Sequence, residues 1–83
     1  MNSPDIRVTV LTTLQTIAPE VDISTLRDDR PLRKQVDLDS MDWLNFLTAI
    51  HEKFHVEIPE VDYERLVTLA DVVAYLEEAS KAK

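Results

Sequence analysis

The chain has 83 residues, 45% of them apolar, no cysteine and a formal net charge of −7. That supports one small domain over residues 1–83 with a modest core, held by neither disulfides nor thiolate metal sites. The acidic balance disfavours nucleic acid and no apolar run approaches a membrane span; Met1-Asn2-Ser3-Pro4-Asp5 lacks the regions of a signal peptide, so a cytoplasmic protein is expected.

Glycine is absent, which removes the common helix C-cap and most hairpin turns, and strand periodicity is absent too. The expected class is all-α. Ser3 before Pro4 reads as an N-cap with proline in the first helical position. Val8, Val10, Leu11, Leu14, Ile17 and Ala18 then recur at the spacing of one helical face, giving a helix over about residues 4–18 that Pro19 stops. Residues 19–38 form a long charged connection. Its scattered Val21, Ile23, Leu26, Leu32 and Leu38 imply that it is packed down while it crosses between two antiparallel helices.

Asp39 is the expected N-cap of a helix over about residues 40–54. Trp43, Phe46, Leu47, Ile50 and Phe54 share its core face, and Met41, Leu44, Asn45, Thr48 and Glu52 its exposed face. After Ile58-Pro59, Asp62 is expected to cap a short helix over about residues 63–67. Thr68-Leu69-Ala70-Asp71 has the capping-box pattern and opens a last helix, about residues 69–79, with Leu69, Val72, Val73 and Leu76 as its stripe. Lys81 and Lys83 follow, where cations complement the helix dipole. The sum is a four-helix bundle, three longer helices and one short third helix.

Ser40 stands out within this layout. Its hydroxyl lies in the first turn of a helix, with Asp39 before it and Asp42 after it, and no neighbouring base would make it a nucleophile on its own account. The arrangement suits a serine that another enzyme modifies with an anionic group. The surrounding charge points the same way: residues 35–79 hold eleven carboxylates against Lys53 and Arg65, while Arg27, Arg30, Arg33 and Lys34 cluster in the connection before them. Such a field favours basic protein partners through steered encounter. Met41, Leu44 and Thr48 add an outward, partly apolar patch beside Ser40.

The run Leu38-Asp39-Ser40-Met41-Asp42, the apolar spacing through Ile50 and Phe54, and then Glu57-Ile58-Pro59 and Thr68-Leu69 resemble the acyl carrier proteins, from about Ser3 to Ser80. The resemblance implies a bundle of acyl-carrier type and no catalytic activity. It implies 4'-phosphopantetheine, taken from coenzyme A by a phosphopantetheinyl transferase (a holo-carrier synthase) with magnesium and joined to Ser40. The cargo would be an acyl thioester of a fatty-acid, polyketide or dedicated specialised pathway; an aminoacyl or peptidyl carrier is the alternative within the same chemistry. An unmodified helical interaction module is the alternative of another class. The resemblance further implies a monomer that docks basic patches of acyl-transferring or ketosynthase-type enzymes through Asp39, Met41, Asp42, Leu44, Thr48 and Glu52. It implies an acyl cavity lined by Trp43, Leu47, Ile50, Phe54, Leu66, Leu69 and Val72.

Three positions depart from the family pattern. Asp37 stands where many relatives have glycine, and Asn45 where many have glutamate, which removes an acid from the docking side. Trp43 stands where a small cavity-lining residue is common. Its indole is expected to narrow that cavity, and each methylene left unburied forfeits about 0.8 kcal/mol.

Other patterns lead elsewhere and are set aside. His51-Glu52-Lys53-Phe54-His55 matches H-E-x-x-H, which on a helix puts two imidazoles on one face for zinc. The chain is too short for a metalloprotease and has only these two histidines, so no metal site is expected. An EF-hand beginning at Asp37 fails, since Met41, Asp42 and Thr48 occupy positions that calcium ligands and glycine require. Asp39 and Asp42 have capping positions that explain them without acid–base work. The basic cluster Arg27–Lys34 has no role assigned by sequence.

Overall fold

The protein is described here by a computed structural model that covers residues 3–81, with side chains described for residues 5–80. The roles expected of Ser3, Pro4, Lys81 and Lys83 fall outside those side chains. In chain order the elements are α1 (Ser3–Ile17), a 3-10 turn (Ile23–Thr25), the single-turn α2 (Leu32–Gln35), α3 (Ser40–Phe54), a 3-10 segment (Glu60–Arg65) and α4 (Leu69–Lys81). Among the described residues the only β-type pairing is the isolated bridge of Pro31 with Thr68, so the class is all-α.

Helix α1 contains four threonines, which are poor helix formers because their hydroxyls compete for backbone partners. Here each hydroxyl donates to the carbonyl one turn back: Thr9 to Asp5, Thr12 to Val8, Thr13 to Thr9 and Thr16 to Thr12, at 2.8–3.1 Å. Thr13 can therefore sit fully buried beside Ile6, Val10, Leu11 and Leu14 without an orphan polar atom. Val8, expected on the core face, is instead exposed. That face of α1 packs against both α3 and α4, whose buried residues are Trp43, Phe46, Leu47 and Ile50, and Leu69, Val72 and Leu76.

The long connection is stitched rather than loose. The side-chain amide of Gln35 accepts from the Arg27 N–H at 2.7 Å and donates to the Arg27 and Arg30 carbonyls at 2.8 and 3.1 Å. The Leu32 N–H donates to the Val67 carbonyl at 2.8 Å, and the Ala70 N–H to that of Asp28 at 3.2 Å. These bonds hold α2 against the entry to α4. Leu32, Val36 and Leu38 are buried, and Val21, Ile23 and Leu26 pack against the core edge.

The segment before α4 differs from expectation. In place of a helix over 63–67 capped by Asp62, a 3-10 segment runs from Glu60 to Arg65 behind Pro59, without a side-chain cap. The reason lies in where the carboxylates go. Asp71 accepts from the N–H groups of Val67 and Thr68 at 3.2 and 3.0 Å, which ends the segment, while Thr68 Oγ1 accepts from the Asp71 N–H at 3.0 Å. Asp62 is turned towards α4, where it accepts from the Tyr75 hydroxyl at 2.8 Å.

Candidate functional site

The site is the start of α3. Buried Val36 and Leu38 anchor the approach, so the intervening Asp37 and the following Asp39 and Ser40 point to solvent. Asp39 caps the helix: its Oδ1 accepts from the Asp42 N–H at 2.8 Å and its carbonyl from the Trp43 N–H at 2.9 Å. Ser40 is the first helical residue and is exposed. The N–H groups of Ser40 and Met41 have no intrahelical carbonyl to reach, and the positive end of the helix dipole lies there. An exposed hydroxyl at such a point fits an attached phosphate, because unpaired N–H donors and the dipole both favour the anion.

The outward face of α3 continues from this hydroxyl. Met41 is 73% exposed and Leu44 46% exposed; Asn45, Thr48 and Glu52 are exposed and Asp42 is half-buried. Of the sequence-predicted docking residues, Asp39, Met41, Leu44, Thr48 and Glu52 are thus exposed, as Ser40 is, and Asp42 partly so. The residues expected to line an acyl cavity do not share one environment. Ile50, Leu69 and Val72 lie fully inside the core, and Phe54 is half-buried at its edge. Leu47 reaches an open cleft of about 400 Å³ between α3 and the 3-10 segment, with Thr48, His51, Ile58, Pro59 and Tyr63 around it.

Trp43 and Leu66 reach a second cleft of about 430 Å³ at the Ser40 end of α3. Pro31, Leu38 and Val67 complete its apolar wall, and Arg33 and Lys34 from α2 and Tyr63 and Glu64 from the 3-10 segment also line it. Trp43 is 7% exposed; its ring lies 5.3 Å from the Phe46 ring, and the Arg33 guanidinium sits 6.0 Å from its centroid. Nothing in the sequence couples Arg33 to Trp43, or places Tyr63 between two clefts, because both depend on how the connection crosses the domain.

The H-E-x-x-H geometry is not realised. α3 ends at Phe54, and His55 is the C-cap in the left-handed region at φ 53°, off the helical face of His51. His51 Nδ1 donates to the Val56 carbonyl at 2.7 Å, since a carbonyl oxygen can only accept. Among the described residues no three His, Cys, Asp or Glu side chains are grouped to hold a metal ion, and no helix is long and apolar enough to cross a membrane. Within the basic cluster, Arg27 pairs with Asp29 at 3.2 Å, and Arg7 reaches in from α1 to pair with Asp28 at 2.8 Å. Each pairing raises its arginine further above an already high pKa, chiefly through the hydrogen bond, and the same bond lowers that of Asp29.

Comparison with known proteins agrees with this geometry. A family model of the phosphopantetheine attachment site matches residues 7–76. Acyl carrier proteins of Campylobacter curvus and Campylobacter lari are 36% and 38% identical over 61 residues, 74% of this chain and 79% of each of theirs. That of Campylobacter hominis is 33% identical over 67 residues, 81% of this chain and 80% of its own. A solution structure assigned to the acyl carrier proteins, from Anaplasma phagocytophilum, superposes with a TM-score of 0.82 at 28% identity, covering 100% of this chain and 94% of that one. Matched in sequence over most of its length and in fold throughout, the chain belongs to the acyl carrier proteins, non-catalytic carriers of 4'-phosphopantetheine that a phosphopantetheinyl transferase modifies.

Proposed function

We propose that Ser40 is the residue that receives 4'-phosphopantetheine, and that the single domain over residues 1–83 presents an acyl thioester on it to the enzymes of a dedicated pathway. The observation that carries this is the exposed Ser40 hydroxyl at the first position of α3, beside unpaired N–H groups and inside the matched region. In the loading step the Ser40 oxygen bonds to the phosphorus next to the pantetheine of coenzyme A. Adenosine 3',5'-bisphosphate departs, and the serine proton passes to a base on the transferase. The attached group supplies the thiol on which cargo is held as a thioester. The chain's own part is to hold the hydroxyl outward, to stabilise the phosphodiester at the helix start, and to offer the partner a recognisable surface.

That surface, on this reading, is Asp39, Met41, Asp42, Leu44, Thr48 and Glu52, with the carboxylates steering basic patches of acyl-transferring or ketosynthase-type enzymes. Leu47, Ile50, Phe54, Leu66, Leu69 and Val72 would yield space to an apolar chain, and Trp43 limits how much. Asn45 and Trp43 together support a specialised pathway over bulk lipid synthesis, with aminoacyl or peptidyl cargo as the variant of the same chemistry. Incubation with coenzyme A, magnesium and a broad-specificity transferase should add one phosphopantetheine to the intact mass, and Ser40→Ala should add none. No gain with several transferases that load a control carrier would instead support an unmodified interaction module.

A further inference from the structure

We propose that the cleft between α2 and Trp43 is a cargo subsite, and that it takes an acyl or aryl group ending in an anion such as a carboxylate. The inference rests on Ser40 being the attachment point. Trp43 lies one helical turn after Ser40, and residues three apart are neighbours on a helix surface, so the tether begins beside this cleft. The indole fills the core side of that turn, packed on Phe46, which leaves the open cleft on its other side as the nearest apolar surface.

The cleft's charge defines the ligand. Its wall of Leu38, Trp43, Leu66 and Val67 suits hydrocarbon, while the exposed Arg33 and Lys34 also line it. Arg7 and Arg27 are matched to carboxylates, whereas no carboxylate among the described residues pairs with Arg33 or Lys34. The Arg33 guanidinium rests over the Trp43 ring instead. Two unmatched cations at an apolar cleft, in a chain of net charge −7, are complementary to an apolar group with an anionic end. Glu64, which lines the cleft from the 3-10 segment, repels an anion, so the anionic end belongs with Arg33 and Lys34 and the hydrocarbon along the indole.

Trp43 is the only tryptophan, so its indole N–H resonance reports on the cleft directly. The test loads Ser40 from hexanoyl- or adipoyl-coenzyme A, two six-carbon chains that differ in the terminal carboxylate. Indole shift and the rate of thioester cleavage by hydroxylamine are then measured. Adipoyl cargo should move the indole resonance more and be cleaved about fivefold more slowly than hexanoyl cargo, the scale of an exposed charge pair. The double variant Arg33→Gln, Lys34→Gln should erase that difference and leave the cleavage rate of hexanoyl cargo unchanged. Equal behaviour of the two cargoes, or a difference that survives the double variant, overturns the subsite while leaving Ser40 as attachment point. Failure to gain mass from either donor overturns the attachment point and the subsite with it.

Discussion

Asp39 acts on the two neighbouring residues that matter most. Its side chain occupies the Asp42 N–H, which fixes where α3 begins, and that start puts Ser40 at the first helical position with its hydroxyl outside. Asp39→Ala should cost about 1 kcal/mol of stability in urea denaturation, whereas Asp39→Asn retains a capping oxygen and should stay within a few tenths. A slower loading of Ser40 in the Asn variant alone would then report on partner docking rather than on the helix. The other end of α3 carries a local cost. In a chain without glycine, His55 takes the left-handed C-cap conformation. His55→Gly and His55→Ala both remove the imidazole, so the difference between them isolates the backbone. Glycine should be the more stable by about 1 kcal/mol. Capping residues such as Asp39 and Thr68 were legible in the sequence because their chemistry is local. Gln35, which fastens the connection to itself, was not, since its partners lie eight and five residues away with no repeating pattern to mark them.

At the scale of elements, periodicity exposes the long helices because burial repeats every turn, as in Phe46, Leu47 and Ile50. The short elements lack that repeat. Over residues 60–65 the conformation is decided by carboxylates pulled in opposite directions, Asp71 towards Val67 and Thr68 and Asp62 towards Tyr75. The Tyr75 hydroxyl is thereby a clasp between the 3-10 segment and α4. Its pKa is raised above the ordinary 10.0, first by burial, then by its hydrogen bond to Asp62 and the charge of that carboxylate; nearby Arg65 opposes this. A raised pKa in the folded state means that the clasp stabilises fully below pH about 10 and is lost as pH climbs through the folded value. Wild-type protein should therefore lose stability on the alkaline side of pH about 10, and Tyr75→Phe should flatten that part of the profile in denaturant titrations.

For the whole molecule, the acidic outward face of α3 and the basic connection beside α2 give the carrier two chemically distinct sides around Ser40, the proposed attachment point. The core between them is closed at the Ser40 end by Trp43. Trp43→Thr should lower stability by about 3 kcal/mol, the cost of truncating a large buried aromatic. It should also open space for hydrocarbon, so a long acyl thioester on the folded variant should be cleaved by hydroxylamine more slowly than on wild type. Equal rates would mean that the indole does not restrict the cavity. The bundle was readable from sequence, and so was an exposed Ser40 at the start of α3. The cleft beside Trp43 was not, because it forms where residues 31–38 meet residues 63–67 and only the folded chain brings those walls together. The most direct measurement on the whole account is tandem mass spectrometry of protein treated with coenzyme A, magnesium and a transferase. The chain has four serines, Ser3, Ser24, Ser40 and Ser80. Phosphopantetheine found on the Ser40 peptide alone is the predicted result; its presence on another serine, or a bare chain beside a fully loaded control carrier, would contradict it.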